Sequence, residues 1–137
     1  MLHCLKQAAP GLPVSREDLR RHPRTGFPWH VPELAHPDLD TPQKWWDALF
    51  RVLERAYVAA GVAPGLAREL PARVRENFVD PAQWRVFPDV FRALDGLSSR
   101  GWTQLVLSNH VPELSSMAGG PGLGERVLRV FKSVETG

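Results

Sequence analysis

The stretch LVLSNHVPEL, residues 105–114, decides how the second half of the chain is interpreted. Three apolar residues run into a serine, an asparagine and a histidine, and Pro112 then opens a new segment. The mostly apolar residues 103–107 are typical of a short strand that is covered on both faces of a sheet. From Pro112 onward the pattern predicts a helix. A strand that ends on polar side chains directly before a helix is a candidate ligand site.

Helical patterns precede this stretch and a second strand pattern follows it. Pro88-Asp89 opens a helix with apolar residues at helical spacing, and this helix is expected to end at Gly101. Residues 127–131 predict another short strand. Helix, strand, helix and strand in this order predict part of an α/β sheet.

The first half of the chain predicts helices alone. Ser15 and Asp18 have the spacing of a capping box, which starts a short helix after one at residues 2–9. Thr41-Pro42 predicts the start of a long helix that runs to about Ala60 and stops at Gly61. A further helical stripe runs from Leu66 to Phe78, and Pro71 is expected to kink or split it. Residues 22–41, with their many prolines, predict an ordered loop that carries aromatic side chains.

Composition limits the classes of function. The chain has 137 residues, of which 43% are apolar and 23% charged, with a net charge of +2, as in an ordinary soluble globular protein. Arginines are scattered rather than clustered, so no nucleic-acid partner is expected. Cys4 is the single cysteine, which fits a reducing compartment. We expect a cytoplasmic protein with no membrane partner and no zinc site, because signal-peptide, membrane-span and zinc-ligand patterns are absent.

Ser108 and Asn109 have two interpretations at the end of the first strand. A serine hydroxyl there can donate to a phosphate oxygen, and the amides of a following helix attract anions. Asn109 can orient a neighbouring loop. Alternatively, both residues only cap the turn and the helix, and spacing alone favours that structural role.

Four segments resemble the haloacid dehalogenase-like (HAD) hydrolases. LVLSNHVPEL resembles their second motif, an apolar strand that ends in Ser or Thr and is often followed by Asn. WRVFPDVFRALDGLSSRGW, residues 84–102, resembles the run into that strand, and VFKSVETG, residues 130–137, resembles the next strand and turn. PWHVPELAHPDLDTPQKWW, residues 28–46, resembles the cap entry of one bacterial subgroup.

The resemblance implies an α/β fold in which a helical cap module is followed by part of a HAD-type Rossmann-like three-layer core. Residues 1–84 would be the helical cap domain. Residues 85–137 would be the partial core, with the second-motif strand and the strand after it. The implied activity of the parental protein is that of a Mg²⁺-dependent phosphatase that acts through an aspartyl-phosphate on a small phosphorylated substrate, and phosphatase is favoured over dehalogenase.

The residues that such an enzyme needs are mostly missing from the chain. Ser108, with Asn109 beside it, is the phosphate-binding position that the resemblance carries over. Asp38-Leu-Asp40 has the spacing of the nucleophile motif, but it follows no apolar strand and leads directly into the helix start at Thr41-Pro42. The family's lysine and acidic metal ligands would follow Gly137. We therefore expect a chain truncated at both ends, with no catalytic residue or metal ligand of its own and no activity alone.

Three further residues are candidates for substrate contact. Trp29 and His30 lie in the proline-rich loop, where a cap can close over a substrate. The alternative is a loop anchored on the cap by Phe27 and Trp29. His110 follows the Ser-Asn pair, and it either contacts substrate or helps to begin the helix.

Two interpretations from other classes of protein function remain open. The chain can be a non-catalytic helical interaction module in which the Ser-Asn turn is structural, or a small helical DNA-binding protein, although a basic recognition helix is lacking. If the chain is a fragment, we expect it to self-associate or aggregate, because an incomplete parallel sheet leaves edges and apolar faces uncovered.

Overall fold

The computed structural model describes residues 1–23, 25–27, 30–31, 33, 37–39, 41–108, 111–119 and 122–132. The chain forms two compact units, Met1–Asn77 and Phe78–Gly137. The described residues are mostly helical and include one small parallel sheet in the second unit. The prediction that the chain contains both helices and a parallel sheet is confirmed. The assignment of residues 1–84 to a cap and 85–137 to a core stays a prediction.

The first unit begins with two short helices, α1 (Leu2–Ala8) and α2 (Arg16–Arg21). The predicted capping box at α2 is confirmed: the Ser15 hydroxyl accepts a 3.1 Å hydrogen bond from the Asp18 amide, and the Asp18 carboxylate accepts one of 2.9 Å from the Ser15 amide. Two amides that the helix cannot satisfy internally are bonded in this way.

Helix α3 (Pro42–Ala59) is the longest element of the described chain. As predicted, Thr41 caps it by accepting a 3.3 Å hydrogen bond from the Lys44 amide, and Pro42 occupies its first position. The helix ends before Gly61, whose φ of +85° is a left-handed conformation that favours glycine. A single 3₁₀ turn, Pro37–Leu39, precedes α3 and contacts it.

Helix α4 (Pro64–Val79) runs unbroken through Pro71, so a split at this residue is wrong. A proline inside a helix removes one backbone hydrogen bond and costs about 3 kcal/mol. Pro71 is fully buried, as is its neighbour Leu70. Their burial offsets that cost, and a helix stays continuous where local propensity alone would interrupt it.

The core of the first unit lies where α1, α2, α3 and α4 meet. Its fully buried side chains include Leu5 of α1, Tyr57 of α3 and Leu70 of α4. On α3, Trp45 and Trp46 are both buried, and their rings meet edge to face with centroids 5.0 Å apart. The Arg68 guanidinium on α4 lies 3.6 Å from the Glu54 carboxylate on α3, at the surface.

The second unit contains α5 (Val90–Ser98), β1 (Leu105–Ser108), α6 (Leu114–Gly119) and β2 (Arg129–Lys132). Single 3₁₀ turns lie at Pro81–Gln83 and Gly124–Arg126. The two strands are parallel, with Leu105 paired to Arg129 and Ser108 paired to Lys132. Helix α6 contacts β2 and both 3₁₀ turns. Both predicted strands are therefore confirmed.

One face of β1 is open to solvent. Leu105 is 54% exposed and Leu107 is 84% exposed. The expectation that this strand is covered on both faces is wrong, because the described residues form only a two-stranded sheet whose packing leaves that face bare. An apolar run shows that a strand needs cover but not that cover is present.

Candidate functional site

Ser108 lies at the carboxyl end of β1, where the sequence predicts it. It is half-buried and pairs in register with Lys132, the last residue of β2. The carboxyl ends of parallel strands lie together at one end of a sheet, and α/β proteins bind their ligands there. Ser108 therefore lies at the end of the sheet where parallel α/β proteins bind their ligands.

Helix α6 begins six positions after Ser108 rather than at Pro112, which lies in the preceding turn. That turn is closed by a 3.1 Å hydrogen bond from the Leu114 amide to the Val111 carbonyl. The Glu113 carbonyl accepts hydrogen bonds from the Met117 amide at 3.0 Å and from the Ser116 hydroxyl at 2.7 Å. With six residues, α6 is too short to supply an anion site by itself.

Three of the candidate residues lie outside the described part of the chain. Asn109 and His110 follow β1, and Trp29 lies in the proline-rich loop. Their predicted roles in phosphate binding and substrate contact stay predictions.

His30 is described and exposed. Its amide donates a 3.0 Å hydrogen bond to the Phe27 carbonyl, and the two rings meet edge to face at 5.3 Å. His30 belongs to the unit Met1–Asn77 and Ser108 to the unit Phe78–Gly137. The substrate contact expected of His30 stays a prediction.

Arg126 fixes the segment that leads into β2. Its guanidinium lies 3.0 Å from the Asp95 carboxylate and 4.8 Å from the centre of the Phe91 ring, and both partners belong to α5. It also donates a 3.4 Å hydrogen bond to the Gly122 carbonyl. This arginine therefore joins the last 3₁₀ turn, which precedes β2, to α5. The sequence did not reveal this contact, because Asp95 and Arg126 are 31 positions apart.

Among the described residues, Asp18 and Tyr57 of the first unit have clearly shifted pKa values. The hydroxyl of Ser15, which donates to the carboxylate, lowers the pKa of Asp18, and the Ser15 amide adds to this effect. Burial raises the pKa of the Tyr57 phenol. One is a helix cap and the other a core contact, so neither marks a catalytic group.

The described residues contain no group of three or more His, Cys, Asp or Glu side chains that could hold a metal ion. Within the same ranges, every helix is too short or too polar to cross a bilayer.

Neither a protein-family model nor a curated protein sequence matches the chain.

Proposed function

We propose that this chain is part of a HAD-type hydrolase, in which the helices of the first unit belong to a cap and the second unit to a Rossmann-like core. The observation that carries the proposal is the β1–α6–β2 arrangement, with parallel strands and Ser108 at the carboxyl end of β1. Two parallel strands joined through a helix are the building unit of such cores. The four sequence segments that resemble the family add to this observation.

Within the proposal, the reaction is phosphoryl transfer from a small phosphorylated substrate. The Ser108 hydroxyl donates a hydrogen bond to an oxygen of the transferring phosphoryl group and holds it in place. Positioning of this kind is a large part of catalysis in phosphoryl transfer, because charge builds up on the phosphoryl oxygens. The nucleophilic aspartate is supplied by sequence outside the 137 residues, so the chain alone is inactive.

The proposed reaction also requires Mg²⁺, which offsets charge between carboxylates and phosphate when bound. Ligands for the ion, like the nucleophile, belong to the part of the enzyme outside this sequence. The contribution of the chain is confined to phosphate positioning and the cap.

The first test is the sequence of the DNA and transcript that flank this reading frame. The proposal expects an upstream apolar strand that ends in Asp-x-Asp, and a Lys-Pro motif with an acidic pair downstream. The extended protein is then expressed and assayed for Mg²⁺-dependent release of inorganic phosphate from small phosphate esters. The 137-residue chain serves as the inactive comparison. Phosphatase turnover by that chain itself, or a message that starts at Met1 and stops after Gly137, contradicts the proposal.

A non-catalytic helical interaction module is the second candidate. The first unit favours it, since most of the buried apolar side chains of the described chain lie there, with Leu5, Tyr57 and Leu70 fully buried. A core of this kind can be stable without a bound substrate. A single sharp calorimetric transition of a monomeric chain supports the module, whereas broad unfolding with aggregation supports the hydrolase fragment.

A further inference from the structure

The outer edge of β1 is an unpaired edge of the sheet formed by the described residues. On one side β1 pairs with β2, and among the described residues no strand pairs with its other side. An unpaired edge presents backbone N–H and C=O groups that can hydrogen-bond to another strand. The same strand carries Leu105 and Leu107 on its open face, at 54% and 84% exposure.

The two edges of the sheet differ in charge. Residues 103–108, TQLVLS, include no charged side chain, whereas β2 begins with Arg129 and ends with Lys132. The Arg129 guanidinium lies 4.9 Å from the centre of the Phe131 ring, so a cation borders the apolar side chains of β2. Charged residues protect natural sheet edges from pairing. By this criterion β2 is protected and β1 is not.

The charge pattern of the two edges favours a second copy of the chain as the pairing partner of β1. A twofold axis brings the same surface of two copies together. Pairing through β2 would therefore place like charges against each other, whereas pairing through β1 would not. Two β1 strands related by such an axis run antiparallel. With Val106 opposite its own copy, Leu105 of each strand lies opposite Leu107 of the other. Side chains alternate along a strand, so the four leucines then form one apolar row on the same face.

We propose that β1 pairs with β1 of a second copy across a twofold axis, which joins two two-stranded sheets into one of four strands. The pairing needs only the uncovered edge and the leucine row, so it goes beyond the proposed hydrolase function and does not depend on it. It is a closed dimer rather than an open-ended aggregate, because the sheet formed by the described residues has one uncharged edge in each copy.

Sedimentation equilibrium of the 137-residue chain measures this directly. The mass is expected to rise with concentration from 15.3 kDa and to level off at twice that value. Amide hydrogen exchange of the β1 peptide is expected to slow over the same concentrations, while exchange of the α1 peptide stays constant. A mass that stays at the monomer value, or one that climbs past the dimer without a plateau, overturns the proposal. Unchanged exchange at β1 does so as well.

Leu107→Lys and Leu128→Lys form a matched pair of variants. Leu107 lies in β1 at 84% exposure, and Leu128 lies just before β2 at 76%, so each substitution removes an exposed leucine and adds one cation. Leu107→Lys is expected to remain at the monomer mass, and Leu128→Lys to dimerise as the native chain does. Dimerisation of Leu107→Lys at the native concentration contradicts the proposal. If this variant loses its helical circular dichroism spectrum, Leu107→Gln takes its place.

Discussion

The Tyr57 phenol donates a 2.9 Å hydrogen bond to the Met1 carbonyl, across 56 positions of sequence. The Tyr57 side chain is fully buried, and the Met1 carbonyl also accepts a 3.2 Å bond from the Leu5 amide. One carbonyl thus joins the start of α1 to the middle of the core. Burial raises the pKa of this phenol, so it remains a neutral donor at every physiological pH.

Removal of this hydroxyl tests how much the contact stabilises the first unit. Tyr57→Phe keeps the ring and is expected to lower the free energy of unfolding by about 0.5–1.5 kcal/mol. Urea unfolding followed by circular dichroism measures the change. Arg51→Ala, at an exposed position of the same helix, is the control and is expected to stay within about 0.5 kcal/mol of the native chain. Equal effects of the two substitutions would show that the bond contributes nothing.

The same tyrosine predicts how stability changes at high pH. Its folded pKa lies above the unfolded value, so its contribution is fully present below about pH 10 and is lost as the pH rises further. The urea midpoint of the native chain is therefore expected to fall more steeply above this pH than that of Tyr57→Phe. Parallel midpoint curves for the two proteins would contradict the raised pKa.

Leu70 and Leu107 contrast a buried leucine with an exposed one. Leu70 is 0% exposed in the core of the first unit, and Leu107 is 84% exposed in the second. Leu70→Ala is expected to cost about 2–5 kcal/mol because it leaves a cavity. Leu107→Ala should change the free energy of unfolding by no more than about 0.5 kcal/mol, measured at a concentration where the chain is monomeric. A large loss at Leu107 in the monomer would mean that its face is covered.

The lowered pKa of Asp18 predicts that the stability of the folded chain decreases at acid pH. The Ser15 hydroxyl and amide lower the pKa of its carboxyl, so its contribution to stability is present above the ordinary value of about 3.9 and is lost as the pH falls through the lowered value. Nuclear magnetic resonance titration should find the Asp18 pKa below its usual range in the native chain and higher in Ser15→Ala, which loses the hydroxyl but keeps the backbone amide. An unchanged Asp18 pKa in Ser15→Ala would mean that the serine hydroxyl does not cause the shift.

The ion pair of Arg126 and Asp95 tests how strongly the turn before β2 is held against α5. Their atoms lie 3.0 Å apart at the surface, with 34% and 59% of the side chains exposed. A double-mutant cycle with Arg126→Ala and Asp95→Ala should give a coupling of about 0.2–1 kcal/mol, which decreases at high salt. Arg126→Lys should retain only part of the stabilisation, because a lysine lacks the flat guanidinium that lies over Phe91. If the effects of the single substitutions are additive, this pair does not stabilise the folded chain.

Features that depend on a few neighbouring residues could be predicted from the sequence. The caps at Ser15 and Thr41 bond to amides three positions on, and Gly61 ends α3 through its own backbone angle. The strand that ends at Ser108 is likewise a local pattern of apolar residues before a hydroxyl. Each of these is determined by contacts within one turn or one strand, so the sequence alone specifies it.

Features that depend on distant partners could not be predicted. The continuity of α4 through Pro71 depends on burial by other helices, and the Asp95–Arg126 contact spans 31 positions. The exposure of Leu107 is the clearest case, because its apolar strand has the same sequence whether or not another element covers it. For the site, the polar end of β1 could be predicted, but the register that sets Ser108 beside Lys132 could not.

Ser108→Ala tests the proposed phosphate role in the extended enzyme. If the hydroxyl donates to the transferring phosphoryl group, its loss should lower kcat by about 10²–10³-fold, as expected for one donor to a developing charge. Steady-state kinetics with a small phosphate ester measure the change. Ser108→Thr keeps a hydroxyl and should recover most of the rate. Ser115→Ala, at an exposed position of α6, is the matched control and should leave kcat unchanged. A Ser108→Ala enzyme with native kcat would make Ser108 a capping residue, and the interaction module would then be the better account of the chain.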